Sequence, residues 1–202
     1  MAVAESIANC SKACLGAGVN VITSFSQGIT ESKFCAEWYE LIVKSELSLY
    51  KWRFATKTAD LGNPLSVVPD TKFNTAYQMP GDVLSVDTVL IGEMPINYDR
   101  YQDQIHTNDT SNDTVIIKYR FRADEVYWNP YFTLLVVYRL ATMLAFSIAR
   151  KEDVAASMKS LADEHWRRAK TEDSQAQTNQ KVNIRKLVRA RGGSLSKFWR
   201  NR

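Results

Sequence analysis

Two histidines, three cysteines and the pair Asp109/Asp113 are the residues of this sequence whose types could do chemistry. Acyl transfer would need a histidine beside a serine or cysteine nucleophile, with a third group to orient it. His106 lies in a polar run and His165 in a charged helical stretch expected to show an outer face, and neither neighbours such a pattern. Cys10 and Cys14 stand one helical turn apart and could share a metal, but a tetrahedral site wants third and fourth ligands nearby. With Cys35 as the only other cysteine, they read better as small core residues. Asp109 and Asp113 resemble a metal loop loosely, lacking the bidentate glutamate and central glycine of an EF-hand. Gly16-Ala17-Gly18 has neither the Lys-Ser/Thr nor the preceding strand of a phosphate loop, and reads as a helix stop. The expectation is a protein without catalytic residues, cofactor or metal.

Charge is the stronger signal. Residues 177–202 hold eight basic side chains and no acidic one: Lys181, Arg185, Lys186, Arg189, Arg191, Lys197, Arg200 and Arg202. Of 26 basic residues in all, 18 are left against 22 acidic ones, so a body of about −4 precedes an arm of +8. Such an arm suits an acidic protein surface or nucleic acid. Leu195, Phe198 and Trp199 within it are anchors that a merely solubilising tail does not need. An odd cysteine count and a start, MAVAESIANC, without the basic and apolar parts of a secretory signal lead us to expect a reducing cytoplasm. Tyr131–Ala149 is the one near-transmembrane stretch. Arg139 near its middle, with Thr133, Thr142 and Ser147, favours a buried helix over a membrane span.

Four helices are predicted, over about 3–15, 32–60, 130–150 and 152–175. The first stops at Gly16 and Gly18. Thr30 or Ser32 can cap the second, whose Phe34, Trp38, Leu41, Ile42 and Ser45 would form its apolar face. Asn129-Pro130 is a helix start, since asparagine caps and proline at the first position loses no needed hydrogen bond. The fourth carries Val154, Met158, Leu161, Ala162 and Trp166 among many charges and is expected on the bundle surface. Gly62, Pro64 and Pro69 mark a connection. Beyond it the period changes to two. Leu84, Val86 and Leu90 alternate with Ser85 and Asp87, and Val115, Ile117, Tyr119 and Phe121 with Lys118, Arg120 and Arg122, so both stretches read as strands with one wet face. His106–Thr114 would be a hairpin tip. The resulting expectation is an α+β, mainly α fold: a four-helix bundle over residues 1–176 with a small antiparallel β-subdomain inserted at about 76–123, followed by an extended basic C-terminal arm at 177–202.

Four ordered segments give the chain a resemblance. They are Gly18-x-x-x-Ile22-x-Ser24; Trp52-x-Phe54-Ala55-x-Lys57-x-x-x-Leu61; Tyr77-x-Met79-Pro80-x-Asp82-x-Leu84-x-Val86; and Tyr119, Asp124, Pro130-x-Phe132 with Leu140-Ala141-x-x-Leu144-Ala145. In order and spacing they resemble the tail tubular protein A family of short-tailed phages and related head-to-tail connector proteins, over roughly residues 5–176. Met79 stands where that family usually has leucine, a volume-conserving exchange. The arm matches no pattern of the family.

The resemblance implies a structural adaptor of the virion, assembled in the host cytoplasm into a ring, typically of twelve copies, that joins the portal to the tail tube or nozzle. DNA would pass through its channel without specific binding. The matched residues would be packing residues, not an active site. For the arm, Arg185, Lys186, Arg189, Arg191, Leu195, Lys197, Phe198, Trp199 and Arg200 are the expected portal contacts. The alternative is a nucleic-acid-binding protein using the same arm, with Phe198 and Trp199 stacking on bases.

Overall fold

A computed structural model of the chain describes residues 2–67, 69–108 and 114–175. The arm, and with it every expected portal contact from Arg185 to Arg200, lies outside the described residues, as do Asp109 and Asp113. The described residues form four helices, α1 (Ala2–Ala17), α2 (Thr30–Leu49), α3 (Pro130–Leu144) and α4 (Glu152–Gln175). They also form seven strands, β1 (Thr56–Asp60), β2 (Thr75–Gln78), β3 (Val83–Ile91), β4 (Met94–Pro95), β5 (Tyr98–Tyr101), β6 (Gln104–Thr107) and β7 (Val115–Phe121). The strands make two antiparallel sheets, ordered β1-β7-β3-β4 and β2-β6-β5.

This overturns the expected four-helix bundle with a small inserted β-subdomain. The fold is α+β, with about 51% of the described residues helical and 21% in strands, and the sheets are too extensive to be an insertion in a bundle. Two local causes account for the difference. The second helix stops at Leu49, not near residue 60, because the Trp52 indole turns back to donate to the Glu46 carbonyl at 2.9 Å and satisfies one of the orphan carbonyls at the helix end. The residues so released, Thr56–Asp60, pair in register with β7 (Thr56 with Arg120, Asp60 with Ile116) and become the sheet's edge strand. The supposed hairpin tip at 106 is also ordered in part: His106 and Thr107 are buried in β6, between β2 and β5.

Helix α3 is the hub of the helical layer. Asn129 caps it, its Oδ1 accepting from the Phe132 N–H at 2.7 Å, with Pro130 at the first turn as expected. Pro130–Ala149 is long and apolar enough to cross a membrane by length and composition. Here Phe132, Leu135, Val136, Leu140, Ala141 and Leu144 are wholly buried in the core shared with α1, α2 and α4, at about 1.5–3 kcal/mol for each large side chain. A π-helical turn (Ala145–Ala149) ends the helix, and Arg150 closes it in the left-handed region at φ 52°.

The second helix buries a different face from the one its stripe suggests. Cys35, Tyr39, Ile42, Val43, Glu46 and Leu47 face inward, while Trp38 and Leu41 are 40% and 60% exposed. Tyr39 and Glu46 can go inward because each has a partner there, Tyr39 donating to Glu125 and Glu46 meeting Arg139. Cys10, Cys14 and Cys35 are buried together, and hydrogen bonding among them, with burial, raises the thiols of Cys14 and Cys35, the latter to about 12. No disulfide is seen among them.

Candidate interaction surfaces

The strand pair β1/β7 organises two polar constellations, one on each face, because side chains alternate along a strand and directly paired residues share a face. Lys57 pairs with Tyr119, so both project to one side; Thr56 with Arg120 and Thr58 with Lys118 project to the other.

On the first side, Lys57 Nζ lies 3.1 Å from Asp82 Oδ2 and the Tyr119 hydroxyl donates to Asp82 Oδ1 at 2.9 Å. Lys57 also sits 3.8 Å above the Phe121 ring. Burial, helped by the bond to Asp82, pushes the Tyr119 phenol up to about 12, which keeps it a donor. Burial opposes the Asp82 charge, but the bonds from Lys57 and Tyr119 outweigh it, so the carboxyl is held below its ordinary value. Next to this knot the sheet meets the helices through stacked rings: Trp52 is 5.0 Å from Phe132, Phe54 5.1 Å from Phe132, and Trp128 4.9 Å from Phe132, all edge to face.

The second side was expected to be the wet face of β7. It is only partly so. Arg120 reaches Asp87 at 3.2 Å and donates to the carbonyls of Ser48 and Tyr50, and Arg122 is clamped by Glu40 and Glu125 at 3.1 and 2.7 Å. Burial would raise Glu125, yet Arg122 and neighbouring donors hold it low. Asp87 faces inward because β3 carries irregularities between Val83/Ser85 and Val86/Thr88, and each extra residue reverses the alternation that the sequence displays.

Outside these clamps a cavity of about 580 Å³ lies along the β1 edge, lined by Lys51, Arg53, Thr56, Thr58 and Lys118 and, from the first side, by Lys57. Another hollow, of about 450 Å³, lies where α2, α3 and α4 meet, with Trp38, Leu41 and Met143 at its wall and the Arg139 ion pairs to Glu46 (3.1 Å) and Asp163 (3.0 Å) in it. Burial pushes Glu46 up against the pull of Arg139, and its Oε2 has no hydrogen-bond partner among the described residues.

No family model matches this chain, and no curated protein matches it either. The residues of the four resembling segments are, by their surroundings, fold residues. Gly18 takes φ 69°, and Ile22, Trp52, Tyr77, Phe132, Leu140 and Leu144 are buried. Phe54 and Leu84 pack against the helical core, Pro130 opens α3, and Pro80 precedes the turn into β3 that bears Asp82. His106 is stacked on Tyr101 at 4.6 Å and hydrogen-bonded to Thr71 and Gln104. His165 is packed beside Tyr131 and Tyr138, not turned outward as expected. The two histidines are thus engaged in separate layers. No group of three or more His, Cys, Asp or Glu placed to hold a metal occurs among the described residues.

Sequence reasoning missed the basic cavity. Its signal was the density of Lys51, Arg53, Lys57 and Lys118, hidden because residues 51–58 and 118 meet only through long-range strand pairing.

Proposed function

We propose that the chain is a structural head-to-tail adaptor of a tailed phage, a non-enzymatic subunit that forms a ring between the portal and the tail tube or nozzle. One observation supports this most. The segments that resemble the connector family, separated by up to tens of residues, converge: Lys57, Asp82 and Tyr119 in one hydrogen-bonded knot, and Trp52, Phe54 and Phe132 in one aromatic cluster. Three of the four segments thus meet in one framework, in keeping with the packing role that the resemblance implies for them.

Large exposed apolar side chains add to this. Leu15, Leu41, Leu49, Val126, Tyr127 and Phe146 are each 60% exposed or more, a supply of contact surface suited to a cyclic assembly in which one complementary patch repeats. The charged arm docks on the portal, with Trp199 and Phe198 as anchors and its arginines pairing with carboxylates or carbonyls. In this reading α3 is a core helix and the protein spans no membrane.

The test is assembly on purified portal rings, followed by imaging and sedimentation. Rings of this chain stacked on the portal are expected, and Trp199→Ala should weaken them. Monomers only, in the presence of portal rings, would remove the adaptor reading. Docking that survives moderate salt separates a portal contact from phosphate binding by the arm, which weakens steeply as salt rises.

A further inference from the structure

The basic cavity beside β1 is a built site, and its chemistry differs from that of the rest of the body. Its cations are Lys51 and Arg53 from the segment after α2, and Lys118 from β7. Lys57 also lines it, although its ammonium is engaged by Asp82.

What holds the cations is beneath them. Asp87, its side chain only 5% exposed, is shared by Arg120 at 3.2 Å and Lys51 at 3.4 Å. Asp173, also 5% exposed, accepts from the Arg53 backbone N–H at 3.1 Å and meets its guanidinium at 4.0 Å. The acids are thus inside, while Lys51 and Arg53 are 51% and 38% exposed. Buried carboxylates anchor Lys51 and Arg53 from below, and both side chains line the cavity. Asp87 Oδ2 and Lys51 meet as an ion pair without hydrogen-bond geometry, so the ammonium keeps donors to spend elsewhere. Lys118 makes no ion pair with any described residue.

The edge of the sheet adds a neutral donor. The Leu61 N–H bonds the Val115 carbonyl at 2.9 Å, which sets the phase of the β1/β7 ladder. By the alternation of an antiparallel pair, the N–H of Thr58, together with its C=O, then points away from β7 at the sheet edge, and the Thr58 side chain lines the cavity. Ammonium groups, a guanidinium, threonine side chains and a backbone N–H are the groups that contact phosphate and sugar in nucleic-acid complexes.

We propose that this cavity binds the phosphodiester backbone of nucleic acid, without reading bases. The lining decides for a phosphate backbone over an acidic protein segment: every lining residue is Lys, Arg or Thr, with no apolar side chain to form the buried centre that protein interfaces use. The site stands on the body and does not require that the chain assemble into a ring. It is also separate from the arm.

Binding of a fluorescein-labelled DNA duplex of about 20 base pairs to the full chain, read by anisotropy across a salt series, tests it. The double variant Lys51→Ala/Lys118→Ala should bind on the order of tenfold more weakly at about 0.1 M salt, with the slope of log K against log salt reduced by about 2. Lys12→Ala/Lys33→Ala, exposed lysines of α1 and α2 outside the cavity, should leave both close to wild type. Because the arm is present in every variant, its contribution cancels in the comparison. In amide NMR spectra the Thr58 and Lys118 signals should shift saturably with the duplex. Unchanged affinity and slope in the Lys51/Lys118 variant, or Thr58 and Lys118 signals that stay in place at saturation, overturn the site. Displacement of the duplex by polyglutamate as effective as by unlabelled duplex at equal charge overturns the assignment to nucleic acid.

Discussion

The two faces of the β1/β7 pair use the same residue types to opposite ends. On one, Lys57, Asp82 and Tyr119 close on each other beside the aromatic junction; on the other, Asp87 and Asp173 are buried so that Lys51 and Arg53 can point outward. The difference lies in where the acid sits. A carboxylate level with its cation completes a pair and serves the fold, whereas a carboxylate beneath its cation positions a charge for something else. Position on a strand decides between them, since alternate residues go to alternate faces.

The largest expected effect is on the fold-serving side. Trp52 is fully buried, donates to Glu46 and touches the rings of Tyr50, Phe54 and Phe132. Trp52→Ala should cost about 3–5 kcal/mol in urea or thermal unfolding, from the cavity and the lost rings together. A loss below about 1 kcal/mol would mean that the junction is not where helices and sheet are joined.

Asp87 comes next and tests the buried acid directly. Removing it leaves Arg120, whose side chain is 13% exposed, without its carboxylate. Asp87→Ala should therefore cost about 3 kcal/mol, the usual penalty of an uncompensated buried charge. If the outward posture of Lys51 depends on Asp87, duplex affinity should fall in this variant even though the cavity has gained net positive charge. Tighter binding would show that Asp87 only neutralises.

How far the sequence showed this arrangement follows from the range of the interactions. Asn129-Pro130 read correctly as a helix start because a cap is local, bonding three residues on. Val83–Ile91 and Val115–Phe121 were legible as strands from their alternation. β1 was not, since Thr-Lys-Thr-Ala-Asp offers a single apolar residue and becomes a strand only by pairing with a segment some 60 residues away. The short strand β2 likewise forms by pairing with the distant β6, whereas β5 and β6 make a local hairpin whose four-residue strands are too short to show a period. The bulges in β3 sent Asp87 inward where simple alternation puts it in solvent. Likewise the apolar stripe of α2 pointed to Trp38 and Leu41, and the inward turn of Tyr39 and Glu46 depended on partners in other elements. The basic cavity needs all of these long-range events before its cations meet.

Asp82 supplies a pH test of the fold-serving face. Its carboxyl is held below the ordinary value of 3.8, so the folded state binds the proton less readily than the unfolded chain. The stabilisation is then present above about pH 3.8 and is lost as pH falls through the lower folded value. Tyr119→Phe removes one of the two bonds responsible and should cost about 1 kcal/mol near neutral pH. The cost should shrink in acid, as the protonated Asp82 loses its advantage in either protein. A Tyr119→Phe deficit that is constant from pH 7 to pH 2 would assign the effect to packing alone. Asp82 is 44% exposed, so solvent screens part of the pair and the effect stays small.

Lys118 should show the smallest effect on stability and the clearest separation of the faces. It is half-buried on β7, opposite Thr58 and Thr88, with its charge in no ion pair with a described residue. Lys118→Ala should therefore change unfolding free energy by no more than about 0.5 kcal/mol. Its neighbour in sequence, Tyr119, loses about twice that through a single hydroxyl. The order should invert for the duplex, with Lys118→Ala weakening binding and Tyr119→Phe leaving it unchanged. A stability loss of about 2 kcal/mol in Lys118→Ala would move this lysine into the framework, and the outer face would then be a second knot and not a surface held open for a partner.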